Sequence, residues 1–151
     1  MSRAFRPVLL IVAALAAVTG VSLLMQPHER IPWRQDFQAA SAEASRTGKP
    51  MLVDFTAPWC DACQEMRRTT WSHATVEQAL REYVPVQVNV DFNQKLATQY
   101  GASALPHLAV LDPRGKVLKE IEGAMGPGEF IAWLHSSGTG PSPRLMWSGL
   151  R

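Results

Sequence analysis

The sequence predicts an α/β domain with a mixed central sheet, preceded by one apolar N-terminal helix, and three observations carry that prediction. The first is a short apolar run, Met51–Phe55, followed by helical stretches and a second run, Val84–Val90. Strand–helix–strand in this order implies a parallel pair joined by a right-handed crossover. The second is the pair of runs His107–Leu111 and Lys116–Glu122 around Asp112-Pro113-Arg114-Gly115. Asp at the first turn position, Pro at the second and Gly at the fourth suit a type I turn, so the two runs form a hairpin. The third is Val8–Met25, an almost uncharged stretch of 18 residues. As a helix it would extend roughly 27 Å, close to the ~30 Å hydrocarbon core of a bilayer.

The 151 residues therefore divide into three parts. Residues 1–30 form a membrane anchor or signal segment with its linker, 31–136 the folded domain, and 137–151 a disordered tail rich in Gly, Ser and Pro. Ala14-Leu15-Ala16 offers a small-residue cleavage site, but the apolar run continues past it through Val21, Leu23, Leu24 and Met25. That continuation favours an uncleaved anchor over a cleaved signal peptide. Arg3 and Arg6 precede the span while Arg30 and Arg34 follow it, so the charge rule orients it weakly. A short N-terminal tail before a long folded domain favours sending the domain across the membrane, which in a bacterium means an inner-membrane protein facing the periplasm. The alternative is a soluble periplasmic protein after cleavage.

Within the domain, Phe37, Ala40 and Ala44 recur at helical spacing over 36–47, and Gly48 suits the helix end. Helices are expected from about Cys60 to Arg68, Ala74 to Glu82, Gln94 to Tyr100 and Glu129 to His135. In the tail, Leu145, Met146 and Trp147 offer at most a weak docking motif.

Composition excludes several functions. The net charge is +2, and no Lys/Arg run is interleaved with aromatics, which argues against a nucleic-acid partner. There is no heptad, internal repeat or phosphate-cradling glycine motif. The two cysteines sit in Trp59-Cys60-Asp61-Ala62-Cys63, directly after a strand and at the start of a helix. A thiolate is the nucleophile of disulfide exchange, and a helix N-terminus stabilises it through unpaired N–H groups and the macrodipole. Cys60 is expected at that end, partly exposed, with Cys63 one turn on and more buried. Cys60 then attacks a partner's disulfide and Cys63 resolves the adduct, or the order reverses when the flow is oxidative. A zinc site needs about four ligands; His73, His107 and His135 form no His-x3–5-His pair beside the two thiols. Haem attachment needs His after the second Cys, where Gln64 stands. Asp54, in an otherwise apolar run, is either a solvent-facing strand residue or a buried carboxylate with a role.

Gly48–Cys63 (GKPMLVDFTAPWCDAC) resembles the active-site region of the thioredoxin superfamily, and is most similar to the C-terminal thioredoxin-like domain of the DsbD thiol:disulfide interchange family. The resemblance continues through Thr70-Trp71-Ser72, Gln87–Val90, Leu105-Pro106 and Gly115, covering about Trp33–His135. It implies a thioredoxin-like three-layer fold, a mixed sheet flanked by helices. It implies that Pro106 is the family's cis-proline, whose loop lies beside the cysteines and receives the substrate strand, with Trp59, Leu105 and His107 in the binding surface. It implies that Asp54 is the family's buried carboxylate, relaying a proton to or from Cys63. No cofactor is implied beyond the redox-active Cys60–Cys63 disulfide.

Two departures stand out. His107 follows the proline where many relatives have a small residue, and Gln87 stands where many have Lys, so the Asp54 carboxylate is expected to lack a cationic neighbour. The leading expectation is a membrane-tethered periplasmic disulfide reductase acting on protein disulfides, re-reduced by an upstream redox partner. Asp61 and Asp54 place negative charge near Cys60 and oppose a stable thiolate, which favours a reductant; a protonated His107 is the counterweight. The alternatives are a net oxidant or isomerase and, in a different class, a metal-binding chaperone using the same thiols.

Overall fold

The computed structural model describes residues 28–136. Helix α1 (Phe37–Thr47) leads into strand β1 (Met51–Thr56), and α2 (Asp61–Thr69), α3 (Ala74–Ala79) and a single 3-10 turn (Leu80–Glu82) lead to β2 (Val84–Asn89). Helix α4 (Gln94–Gln99), the hairpin β3 (His107–Leu111) and β4 (Val117–Glu122), and α5 (Pro127–His135) complete the order.

The sheet is mixed, in the order β2-β1-β3-β4. β1 pairs parallel with β2 from Met51↔Val84 to Thr56↔Asn89, and antiparallel with β3 from Met51↔Leu111 to Phe55↔His107. β3 and β4 are antiparallel, with Asp112 accepting from Gly115 N–H across the turn at 2.9 Å. This is the crossover and hairpin that the sequence predicts.

Strand alternation sorts the core into two layers. Met51, Val53, Phe55, Val84, Val86, Val88, Ala109 and Leu111 face Ala40 and Ala44 of α1 and Ala97 and Tyr100 at α4. Leu52, Leu108 and Val110 face Met66 of α2, Trp71, Val76 and Phe130 and Leu134 of α5. Every residue of β1 is buried, as a central strand covered on both faces requires. The result is three layers, helices on both sides of the sheet.

The segment before α1 closes the β2 edge. Arg34 N–H donates to Pro85 O at 3.0 Å, and Gln87 N–H donates to Arg34 O at 2.9 Å. The same segment is stitched to the helical layer by Trp33, whose ring meets Trp71 edge-on at 5.2 Å.

Three boundaries differ from expectation. The helix after the motif begins at Asp61, with Cys60 as its N-cap. The stretch over 74–82 is α-helical only to Ala79 and then tightens into the 3-10 turn. α5 begins at Pro127 rather than Glu129, because the Glu129 carboxylate reaches back to accept Gly126 N–H at 3.0 Å. Val8–Met25 and the 137–151 tail lie outside the described residues. Among the described residues no helix is long and apolar enough to cross a membrane.

Candidate active site

β1 ends at Thr56, and the turn through Ala57 delivers Cys60 to the N-terminus of α2, where its Sγ accepts Cys63 N–H at 3.1 Å. Cys60 thus caps the helix, a place that favours negative charge on sulfur once the bond is reduced. The two cysteines form a disulfide. Cys60 and Cys63 are each 6% exposed. The expected contrast in burial is therefore absent in the disulfide form, because Ala57, Val90, Leu105 and Ala62 pack around both.

Asp54 lies on β1, ahead of this turn, and is buried, not turned to solvent. Its Oδ2 accepts from Gln87 Nε2 at 3.0 Å across the β1–β2 pair, and the Trp71 side chain also favours the carboxylate as a hydrogen-bond donor. Burial pushes its pKa up to about 6, against the Gln87 hydrogen bond and with a smaller upward push from Glu29. Arg67 acts the other way, favouring the carboxylate. Gln87 supplies a neutral donor in place of a cation, and the weaker pull of Arg67 on α2 is outweighed by the push of Glu29, with which Arg67 pairs at 3.7 Å. Cys63, Thr56, Pro58, Gln64 and Arg67 line a cavity of about 240 Å³.

Around the disulfide, Trp59 is 65% exposed, and its indole N–H donates to both Asp91 oxygens at 3.1 and 3.2 Å. The Leu105–Pro106 bond is cis, as the resemblance implies, and Pro106 is buried with Leu105 packed toward the cysteines. The His107 side chain is buried on the other face of the sheet from Asp54, edge-on to Phe55 at 5.7 Å. Its two ring nitrogens each lie 3.7 Å from a carboxylate oxygen, of Glu120 and Glu122. Among the described residues no group of three or more His, Cys, Asp or Glu is placed to hold a metal ion.

The thioredoxin-like family model matches residues 32–113, more than half of the chain. The chain belongs to the thioredoxin-like family. By its Cys60–Cys63 disulfide it is a thiol:disulfide oxidoreductase of that family. It is 31% identical over 151 residues to the thiol:disulfide interchange protein DsbD of Salmonella paratyphi A, covering 88% of this chain and 27% of that one. The chain thus spans about a quarter of the length of the curated relatives it matches. Among solved structures it is similar to the oxidised DsbD C-terminal domain of Neisseria meningitidis, with 27% identity, a TM-score of 0.59, and coverage of 70% of this chain and 98% of that one. It is also similar to a thioredoxin from Thermus thermophilus, with 26% identity, a TM-score of 0.62, and coverage of 69% and 84%.

Sequence reasoning singled out Cys60, Cys63, Asp54, Trp59, Leu105, Pro106 and His107. It missed Asp91 as the partner of Trp59, Arg67 with Glu29 near Asp54, and the two glutamates beside His107. Asp91 lies two residues past the end of β2 and could have been found from the chain's path there; the others come from pairings distant in sequence.

Proposed function

We propose that this thioredoxin-like chain is a protein-disulfide reductase of the periplasm, tethered to the inner membrane by Val8–Met25 and re-reduced by an upstream redox partner. The observation that carries the reading is Cys60 capping α2 with its sulfur on Cys63 N–H, with the buried Asp54 carboxylate on the strand that leads into the motif. Support for the compartment comes from the apolar run and from the likeness to DsbD.

The steps follow from the groups present. The Cys60 thiolate attacks one sulfur of a substrate disulfide, forms a mixed disulfide and releases the other sulfur as a thiolate. Asp54 takes the proton of Cys63, the new thiolate attacks Cys60 Sγ, and the second substrate thiol leaves. The chain ends oxidised at Cys60–Cys63 and the substrate reduced by two electrons. Trp59, held by Asp91, and the loop of Leu105 and Pro106 form the surface that receives the substrate strand, while the His107 ring is buried at the start of β3.

Trapping tests the assignment. In Cys63→Ser, Cys60 still attacks but nothing resolves the adduct, so mixed disulfides with substrates accumulate; Cys60→Ser should trap none. Alkylation at pH 7 that modified Cys63 ahead of Cys60 in the reduced protein would reverse the roles. Fractionation and N-terminal sequencing test the tether, since a soluble product beginning near Ala17 excludes it.

A further inference from the structure

We propose that Glu29 is a positioning residue for thiol–disulfide exchange: it pairs with Arg67 beside the Cys63 cavity, balances that charge, and so keeps Asp54 able to take the proton of Cys63. The proposal rests on the reading of Asp54 as proton acceptor given above, and it adds a residue from outside the sheet and the motif to that step.

Glu29 stands where the chain enters the domain, and the segment around it fixes its place. Arg30 N–H donates to Trp71 O at 2.9 Å, Ile31 is buried, and Trp33 N–H turns back to donate to Ile31 O at 2.9 Å. The Glu29 side chain is 25% exposed and both of its oxygens are engaged. Oε1 accepts the Trp33 indole N–H at 2.6 Å, and Oε2 lies 3.7 Å from Arg67 Nε. Each oxygen leads toward the active site by its own route. The Trp33 ring meets Trp71 edge-on at 5.2 Å, and the Trp71 side chain is a donor to Asp54. Arg67 lies one turn after Cys63 on α2 and lines the same cavity.

The charged groups that act on Asp54 among the described residues are Glu29 and Arg67, with Glu29 the stronger. β2 presents the neutral Gln87, β3 presents Leu108 in register, and Trp71 adds a neutral donor. In the reduced chain the thiols of Cys60 and Cys63 are the remaining titratable groups of the site. Without the Glu29 charge, Arg67 acts alone. An opposite charge nearby favours a carboxylate over its acid, so Asp54 gives up its proton at lower pH and becomes the weaker base for Cys63. Without the Arg67 charge, Glu29 acts alone. A like charge disfavours a second carboxylate, so Asp54 becomes the stronger base. A merely structural role for the pair would move both variants the same way.

The test uses the full-length chain in detergent. In the oxidised protein the Asp54 carboxyl is titrated by carbon NMR, with its signal assigned by its loss in Asp54→Asn. The wild type should titrate at about pH 6. Glu29→Gln keeps an acceptor for Trp33 and removes only the charge, while Arg67→Met keeps the stem. The first should move the titration down by about half a pH unit or more, and the second should move it up by about as much. In the reduced protein, the aryl disulfide dithiobis-nitrobenzoate reads the exchange itself. One nitrothiobenzoate leaves as Cys60 attacks the reagent, and a second leaves as Cys63 attacks Cys60 Sγ and closes the disulfide. The pH at which the second release accelerates should follow the NMR titration in both variants. Shifts of the same sign in both variants, or an Asp54 titration unmoved in Glu29→Gln, overturn the proposal. Titrations that move apart while the second release keeps its wild-type profile sink the reading of Asp54 as proton acceptor, and remove Glu29 from the exchange with it.

Discussion

At the scale of single residues, Asp54 is where burial and function pull against each other. A carboxylate raised from 3.8 to about 6 by desolvation binds its proton more tightly folded than unfolded. The contribution of Asp54 to stability is therefore fully present below pH 3.8 and is lost as pH rises from 3.8 to about 6. At about 1.4 kcal/mol per pH unit, the loss is of the order of 3 kcal/mol by neutrality. Asp54→Asn should stabilise the oxidised protein at pH 8 by up to that amount and by nothing at pH 4, as read from urea unfolding at both. The wild-type exchange rate should rise through pH 6 and the same variant should lose that rise, since no base then accepts the Cys63 proton. A mutant that is no more stable at pH 8, with an unchanged rate profile, would remove Asp54 from both roles.

At the scale of elements, the two strand pairs and the motif helix were readable because each is announced locally. Short apolar runs, an Asp-Pro-x-Gly turn and a CxxC after a strand need no distant partner. The start of α5 was not, because Gly126-Pro127-Gly128 reads as a loop until Glu129 is seen to close back on Gly126. The surroundings of Asp54 and His107 were unreadable for a different reason. They depend on α2 and β4 arriving beside residues far away in the chain, which no local pattern fixes. β4 also ends α5 in a way its sequence does not suggest. Lys119 Nζ donates to the carbonyls of Trp133, Leu134 and Ser136 at 2.6, 2.5 and 2.9 Å, and lies 5.2 Å from the Trp133 ring centre. A cation there satisfies carbonyls that the helix leaves open and complements its dipole. Lys119→Met keeps the stem but removes the donors, and should cost about 1–2 kcal/mol in chemical denaturation. Lys119→Arg should recover part of the loss.

At the scale of the whole molecule, the redox state and the fold are linked through the charges around Cys60. A folded protein whose thiolate is poorly stabilised gives up electrons readily, and by the same cycle its disulfide form is the more stable fold. The helix cap and the Cys63 N–H favour the thiolate. Asp61, in the first turn of α2, and the buried Asp54 oppose it. No cation lies between the cysteines to offset them. With two carboxylates set against one helix end, the couple should lie nearer about −270 mV than about −120 mV. Each 30 mV by which the folded couple lies below the unfolded one stabilises the oxidised form by about 1.4 kcal/mol. The oxidised chain should therefore melt above the reduced chain at pH 7. Asp61→Asn should narrow that gap and raise the potential in glutathione equilibration. A reduced form that melts higher, or an Asp61→Asn protein that is more reducing than the wild type, would show that the helix end outweighs the carboxylates and that electrons run the other way.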